Sequence, residues 1–192
     1  MVTLNGSLGH VYAGVLQLID ATENPRFQRF MSLVDKFRTM GVRANADTAD
    51  DARTARSFGA EGIGLFRTEH MFYGKGSDEP LFLLRKMILS KTLAERENVL
   101  RKLFRFVKSD VKATLAAMDG LPVTFRLLDP PLHEFVPKDP AKQKELAVSL
   151  GITPKEIKER GEALHESNPM MGHRGVRLGI TYPEVSEMQI RA

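Results

Sequence analysis

The sequence predicts an α/β fold in which short strands and helices alternate around a parallel sheet. Three observations lead there. Gly-Ile-Gly-Leu-Phe-Arg at 62–67 is an apolar run that ends on arginine, with Thr68, Glu69 and His70 directly behind it. Such a run is the pattern of a buried parallel strand that delivers a side chain to the carboxyl edge of its sheet, where α/β proteins place their sites. Residues 42–46, 48–59 and 62–66 spell strand, helix and strand with short connections, a βαβ unit whose crossover is right-handed. Val-Thr-Phe-Arg-Leu-Leu-Asp at 123–129 then repeats the apolar run with an arginine near its end.

The elements follow in chain order. Residues 2–4 and 10–16 favour strands and flank Asn5-Gly6-Ser7-Leu8-Gly9, whose Asn-Gly is a hairpin signal. A lone hairpin is barely stable in water, so this one reads as the end of something larger. Pro25 fits a first helical turn, Phe27, Phe30, Met31, Val34, Phe37 and Arg38 keep a helical period, and Gly41 stops it. Thr48 opens the next helix with Asp51 three residues on, and Gly59 closes it. A long loop at 71–80 leads to a helix at 81–90. Residues 92–118 give the strongest helix, with Leu100, Leu103, Phe104, Val107, Val111, Leu115 and Met118 on one stripe and Asp119-Gly120 at its end. Asp129-Pro130-Pro131 cannot continue the strand at 123–128. Two helices fill 141–165, the second opened by Thr153, Pro154 and Glu156 as N-cap, N1 and N3. Residues 168–180 suggest a fourth βα step, and 182–192 a last helix.

Totals narrow the function. At 42% hydrophobic and 27% charged, the 192 residues suit one soluble core. No apolar run approaches the ~20 residues of a membrane span, and the first residues carry no targeting pattern. The default compartment is therefore cytoplasmic, with an organellar setting (plastid or glycosome) as the alternative. Without cysteine there is no disulfide, zinc–thiolate site or thiol nucleophile. The net charge of +4 is spread among alternating acids and bases, which argues against a nucleic-acid partner. Gly62-x-Gly64 precedes its strand instead of opening a helix after one, so it is no dinucleotide loop. The five histidines form no metal-ligand constellation; His70, His133 and His173 read as orienting or packing residues beside the motifs.

The candidate site is a set of arginines. Arg67 and Arg126 end separate apolar runs, and Asn-Pro-Met-Met-Gly-His-Arg-Gly-Val-Arg at 168–177 adds Arg174 and Arg177. Guanidinium forks suit a small ligand with two anionic groups, because they meet phosphate or carboxylate with paired hydrogen bonds and stay charged. The competing interpretation for each is a structural ion pair at a strand end. Arg43 reads as an ion pair at the opposite end of the sheet, and Asp129 as a residue that orients Arg126 or neighbours a metal site.

These motifs, with Gly-Val-Arg-Ala-Asn-Ala-Asp-Thr at 41–48 and His-Glu-Phe-Val-Pro at 133–137, resemble the pyruvate, phosphate dikinases among the phosphoenolpyruvate-utilising enzymes. The resemblance covers essentially the whole chain. It implies the tail of a swivelling phosphohistidine domain at 1–19, a linker helix at 20–40, and the N-terminal half of a phosphoenolpyruvate/pyruvate-binding (β/α)8 TIM-type barrel at 41–192. Three or four βα steps do not close a barrel of eight, so a fragment is expected, with open sheet edges that favour association or partial disorder. Implied for the full enzyme are interconversion of ATP, pyruvate and phosphate with AMP, phosphoenolpyruvate and diphosphate through a phosphohistidine, Mg²⁺, and a homodimer. Arg67, Arg126 and Arg174 are the implied substrate-binding residues, with Asp129 and Arg177 as further candidates. The phosphohistidine, a proton-donating cysteine and the metal ligands would all lie outside this chain, leaving it inactive alone. A phosphoenolpyruvate synthase and a non-catalytic interaction module on the same scaffold are the alternatives; His133-Glu134-Phe135 favours the dikinase over the synthase.

Overall fold

A computed structural model describes every residue except Ile19, Asp20, Lys75, Glu166 and Pro169. The chain divides into two compact units, Met1–Gly41 and Val42–Ala192. The expected boundary between residues 19 and 20 lies outside the described residues.

In the first unit β1 (Val2–Asn5) and β2 (His10–Ala13) pair antiparallel, with Asn5 opposite His10. The expected hairpin forms, with its loop inside the segment 5–9. Asn5 is the last ladder residue, and its Oδ1 accepts from the N–H groups of Ser7 and Leu8, which organises a four-residue loop over 6–9. Helix α1 (Pro25–Val34) starts as predicted, with Asn24 capping the N–H of Arg26 and Pro25 in the first turn. It stops seven residues before Gly41, however. None of its described side chains is buried within the structure, so the Phe and Met stripe lacks the packing that normally sustains a helix, and residues 35–37 relax into a turn.

The second unit carries the parallel sheet. Strand β3 (Ala44–Ala46), helix α2 (Ala49–Ser57) and strand β4 (Ile63–Arg67) form the βαβ unit. Thr48 caps the N–H of Asp51, while Asp51 accepts from the N–H of Asp47. A single-turn 3₁₀ segment, Thr68–Phe72, follows β4 and leads to α3 (Asp78–Leu89) and α4 (Leu93–Ala117). Strand β5 (Val123–Arg126) pairs parallel to β4, giving the order β3-β4-β5. Gly62 owes its identity to this pairing: a Cβ there would lie 2.7 Å from the Pro122 carbonyl oxygen, which accepts from the Ile63 N–H. The close approach is structural, as expected of a glycine ahead of a strand.

Beyond β5 come a short 3₁₀ segment (Leu132–Phe135), α5 (Pro140–Leu150), α6 (Pro154–Ala163), α7 (Val176–Thr181) and α8 (Pro183–Arg191). The fourth βα step is not formed: among the described residues 168–180 hold no strand. Asn168 accepts from the N–H of Met170 and Met171, Gly172 accepts from the N–H of Arg174, and residues 176–181 turn helical. These short-range bonds engage the backbone locally, and a ladder needs it free. The sheet is mixed into an α/β arrangement with three parallel strands and is not a closed barrel.

Two apolar clusters hold the unit. Ala46, Ala52, Ile63, Phe66 and Met118 fill the space between the sheet, α2 and the end of α4. A larger one joins α3, α4, α6 and α8 through Leu84, Met87, Leu103, Val107, Ile157 and Val185. The α4 stripe holds except at Leu115, which is 48% exposed. At 3.6 residues per turn Leu115 lies about 80° around the helix from Val107, whereas Thr114 and Met118 stay within about 20° of it and are buried. Arg43 makes no ion pair among the described residues; its stem lies along β4, 3.3 Å from where a Cβ on Gly64 would sit.

Candidate functional site

The sheet register decides the geometry. Arg67 and Arg126 are Cα partners on the last rung shared by β4 and β5, so two guanidiniums leave neighbouring strands at the carboxyl edge. Each is met by carboxylates of the segments that follow the strand ends. Arg67 Nη1 lies 3.4 Å from Asp47 Oδ1, and the other oxygen of Asp47 is 3.1 Å from His70 Nδ1. Arg126 Nη2 pairs with Glu69, and its Nη1 is 3.5 Å from Asp129 Oδ2.

Asp129 extends the set to the third arginine. Arg174 meets it with both arms of its fork, Nη2 to Oδ2 at 2.5 Å and Nε to Oδ1 at 3.3 Å. This hydrogen-bonded guanidinium holds the Asp129 carboxyl below the usual carboxylate range, against the opposing effect of desolvation, and raises Arg174 in return. Asp129 is therefore first a partner of Arg174 and only secondarily of Arg126. Gly175 makes room for the pairing: its φ is +55°, and a Cβ would sit 3.1 Å from Asp129 Oδ1. Carboxylates and guanidiniums thus alternate from Glu69 through Arg126 and Asp129 to Arg174.

The arginine side chains are only partly shielded, at 32% exposure for Arg67, 33% for Arg126 and 23% for Arg174. A ligand from solvent reaches them without unfolding anything. Arg177 stands apart from the ion pairs: it lies on α7 and donates from Nη1 to the Gly172 carbonyl, bracing the loop that carries Arg174. His173 shares a hydrogen bond with Thr181. His133 is buried with Nδ1 unpartnered, its ring 5.2 Å from that of His165. Those two histidines line a separate cavity of about 690 Å³ to which none of the three clustered arginines contributes.

Residues that the sequence did not single out hold the strand ends together. Thr68, on average 2% exposed, donates to the Arg126 carbonyl at 2.9 Å. Gln189 of α8 donates to the Thr68 hydroxyl at 3.0 Å and accepts the Leu128 N–H at 2.9 Å. One side chain from the last helix thereby ties the ends of β4 and β5. Glu69 is the other omission. An acid two residues past a strand-end arginine was the available signal, but its burial was not readable.

Among the described residues no group of three or more His, Asp or Glu side chains is arranged to hold a metal ion. Asp47, Glu69 and Asp129 each already face a guanidinium. The residues present do not fit the Mg²⁺ that the family resemblance implies.

The carboxyl edge of a parallel α/β sheet thus gathers arginines, an arrangement with the chemistry to take a small anionic ligand. The chain belongs to the PEP-utilising enzymes: residues 21–192 match the family described as PEP-utilising enzyme, PEP-binding domain. Within that group it is similar to pyruvate, phosphate dikinases, which are phosphotransferases. It is 50% identical over 191 residues to the enzyme of Clostridium symbiosum, covering 100% of this chain and 22% of the relative. The figures are 50% over 192 residues for Rhizobium meliloti (strain 1021), with 100% and 21% covered. For the chloroplastic enzyme of Flaveria pringlei they are 50% over 193 residues, with 100% and 20% covered. The chain spans about a fifth of the length of these relatives.

Proposed function

We propose that this chain supplies the phosphoenolpyruvate- and pyruvate-binding arginines of a pyruvate, phosphate dikinase. In this reading residues 41–192 are the N-terminal half of a (β/α)8 domain, 20–40 connect it to a swivelling phosphohistidine domain, and 1–19 are the tail of that domain. The observation that carries the reading is the gathering of Arg67, Arg126 and Arg174 at one sheet edge.

The chemistry follows from the ligand's charge. Phosphoenolpyruvate bears a phosphate and a carboxylate close together, and stripping water from both is costly without fixed cations. Arg67 and Arg126, adjacent on the ladder, suit the phosphoryl and enolate oxygens, and Arg174 is the third contact. Phosphoryl transfer between a histidine and the enolate oxygen of pyruvate spreads charge over several oxygens in the transition state. Guanidiniums already in place stabilise that charge without reorganising. ATP and phosphate act elsewhere in the whole enzyme, and Mg²⁺ takes its ligands from other segments.

Titration calorimetry of the full-length protein with phosphoenolpyruvate tests the reading. Arg67→Ala, Arg126→Ala and Arg174→Ala should each weaken binding by roughly 10- to 100-fold, the range for lost hydrogen bonds to charged groups. An unchanged dissociation constant in Arg67→Ala and Arg126→Ala removes the sheet edge from the site.

A further inference from the structure

We infer that Glu69 is a positioning residue: its buried carboxylate fixes the orientation in which Arg126 meets an anionic ligand. The inference rests on the substrate-binding reading above and adds to it a residue with no part in it so far.

Glu69 is on average 3% exposed, and its side chain 4%. A carboxylate so placed is costly without a cation beside it, and among the described residues the cation paired with it is Arg126. The converse does not hold. Arg126 is one-third exposed and also reaches Asp129, so solvent and a second carboxylate already meet its guanidinium. A costly buried acid therefore serves the geometry of a cation that solvent would otherwise accommodate freely.

The contacts specify that geometry. Glu69 engages Nη2 and Asp129 faces Nη1, so Arg126 is held between two carboxylates on different segments. The backbone beneath is fixed independently, because the Arg126 carbonyl accepts from Thr68, the residue before Glu69. Residues 68 and 69 thus grip Arg126 at both its main chain and its side chain. Glu69 Oε2 and Arg126 Nε are both buried with no hydrogen-bond partner among the described residues. The pair is therefore an end-on contact through Oε1 and Nη2, and Asp129 on Nη1 supplies the second point that sets the guanidinium's angle.

A double-mutant cycle on the full-length protein, read by calorimetric titration with phosphoenolpyruvate, separates this role from a structural one. Glu69→Gln should weaken binding about tenfold, which is the size of a coupling between contacting charged groups. In the Arg126→Ala background the same substitution should change nothing further, because Glu69 acts through that guanidinium alone. A merely structural Glu69 would weaken binding equally in both backgrounds, and that result overturns the inference. So does an unchanged dissociation constant in Glu69→Gln when Arg126→Ala binds weakly. If Arg126→Ala itself binds normally, the substrate-binding reading fails first and takes this inference with it. Should Glu69→Gln not fold, as shown by circular dichroism, Glu69→Asp runs the same cycle, since it keeps the charge but withdraws it by one methylene. Weakening confined to the Arg126 background supports the role, and equal weakening in both backgrounds refutes it.

Discussion

Replacing Gln189 by leucine should loosen the carboxyl edge of the sheet from a distance. The amide donates to Thr68 Oγ1 and accepts the Leu128 N–H, at 3.0 and 2.9 Å. Leucine keeps most of the volume and removes both bonds. Thr68 loses an acceptor contact but still donates to the Arg126 carbonyl, so its hydroxyl stays partnered. Leu128 fares worse: the residue is 6% exposed, and its N–H loses its partner where water has little access. An orphaned buried donor costs about 1–3 kcal/mol. The native arrangement at this site should open correspondingly more often, and amide exchange at Leu128 should quicken by roughly 5- to 150-fold in the native state. Hydrogen exchange followed by NMR, with amides of β4 as internal reference, measures this directly. Unchanged protection at Leu128 would show that the Gln189 bridge does not hold the strand end. Because that end carries Arg126, phosphoenolpyruvate affinity should fall alongside the protection.

Gly175→Ala should misplace Asp129 through its 3.1 Å approach and force a left-handed φ on alanine, lowering stability by about 1–3 kcal/mol in urea unfolding. Leu103→Ala, in the centre of the larger cluster at 1% exposure, should cost about 2–5 kcal/mol in the same assay. Glu156, at the α6 N-terminus, has its carboxyl pulled down to about 2, chiefly by the Lys91 ammonium 2.7 Å away and then by Thr153. Its folded-state pKa is depressed, so its stabilisation is full above about pH 4.5 and is lost as the pH falls through about 2. The difference in melting temperature between wild type and Glu156→Gln should shrink across that window; a constant difference would refute the assignment.

Local chemistry carried most of what was legible. Thr48, Thr153, Pro25 and Pro154 announce helix starts through interactions within four residues, and the structure has them. The βαβ unit and the partnership of the arginine-bearing runs also followed from the apolar patterns. What failed needed long-range information. The α1 stripe predicted a longer helix because periodicity does not reveal whether a partner covers it. Residues 168–180 read as a βα step because nothing local announces the turn made by the Gly172 carbonyl's bond to Arg174 N–H and by Gly175 at φ +55°. Glu69 and Gln189 escaped notice since nothing local separates a surface acid or amide from one folded under the sheet edge.

The charge arrangement explains why the site is built from pairs. Three guanidiniums brought to one sheet edge and left alone would repel each other and disturb the strand ends. Asp47, Glu69 and Asp129 offset that repulsion before any ligand arrives. The three arginines and three carboxylates sum to zero, so attraction for an anion cannot rest on net local charge. On the substrate-binding reading it rests instead on donor geometry, with guanidinium forks held at fixed angles by their carboxylates. Such a site discriminates by shape more than by charge, and neutral substitutions of the carboxylates follow from this. Asp129→Asn raises the net charge by one and should, on charge alone, tighten anion binding. On the geometric account it weakens binding, because Arg174 loses the fork contact that orients it. Calorimetry with inorganic phosphate and with phosphoenolpyruvate separates the two: the geometric account requires Asp129→Asn to lose affinity for phosphoenolpyruvate, and tighter binding of both ligands would refute it.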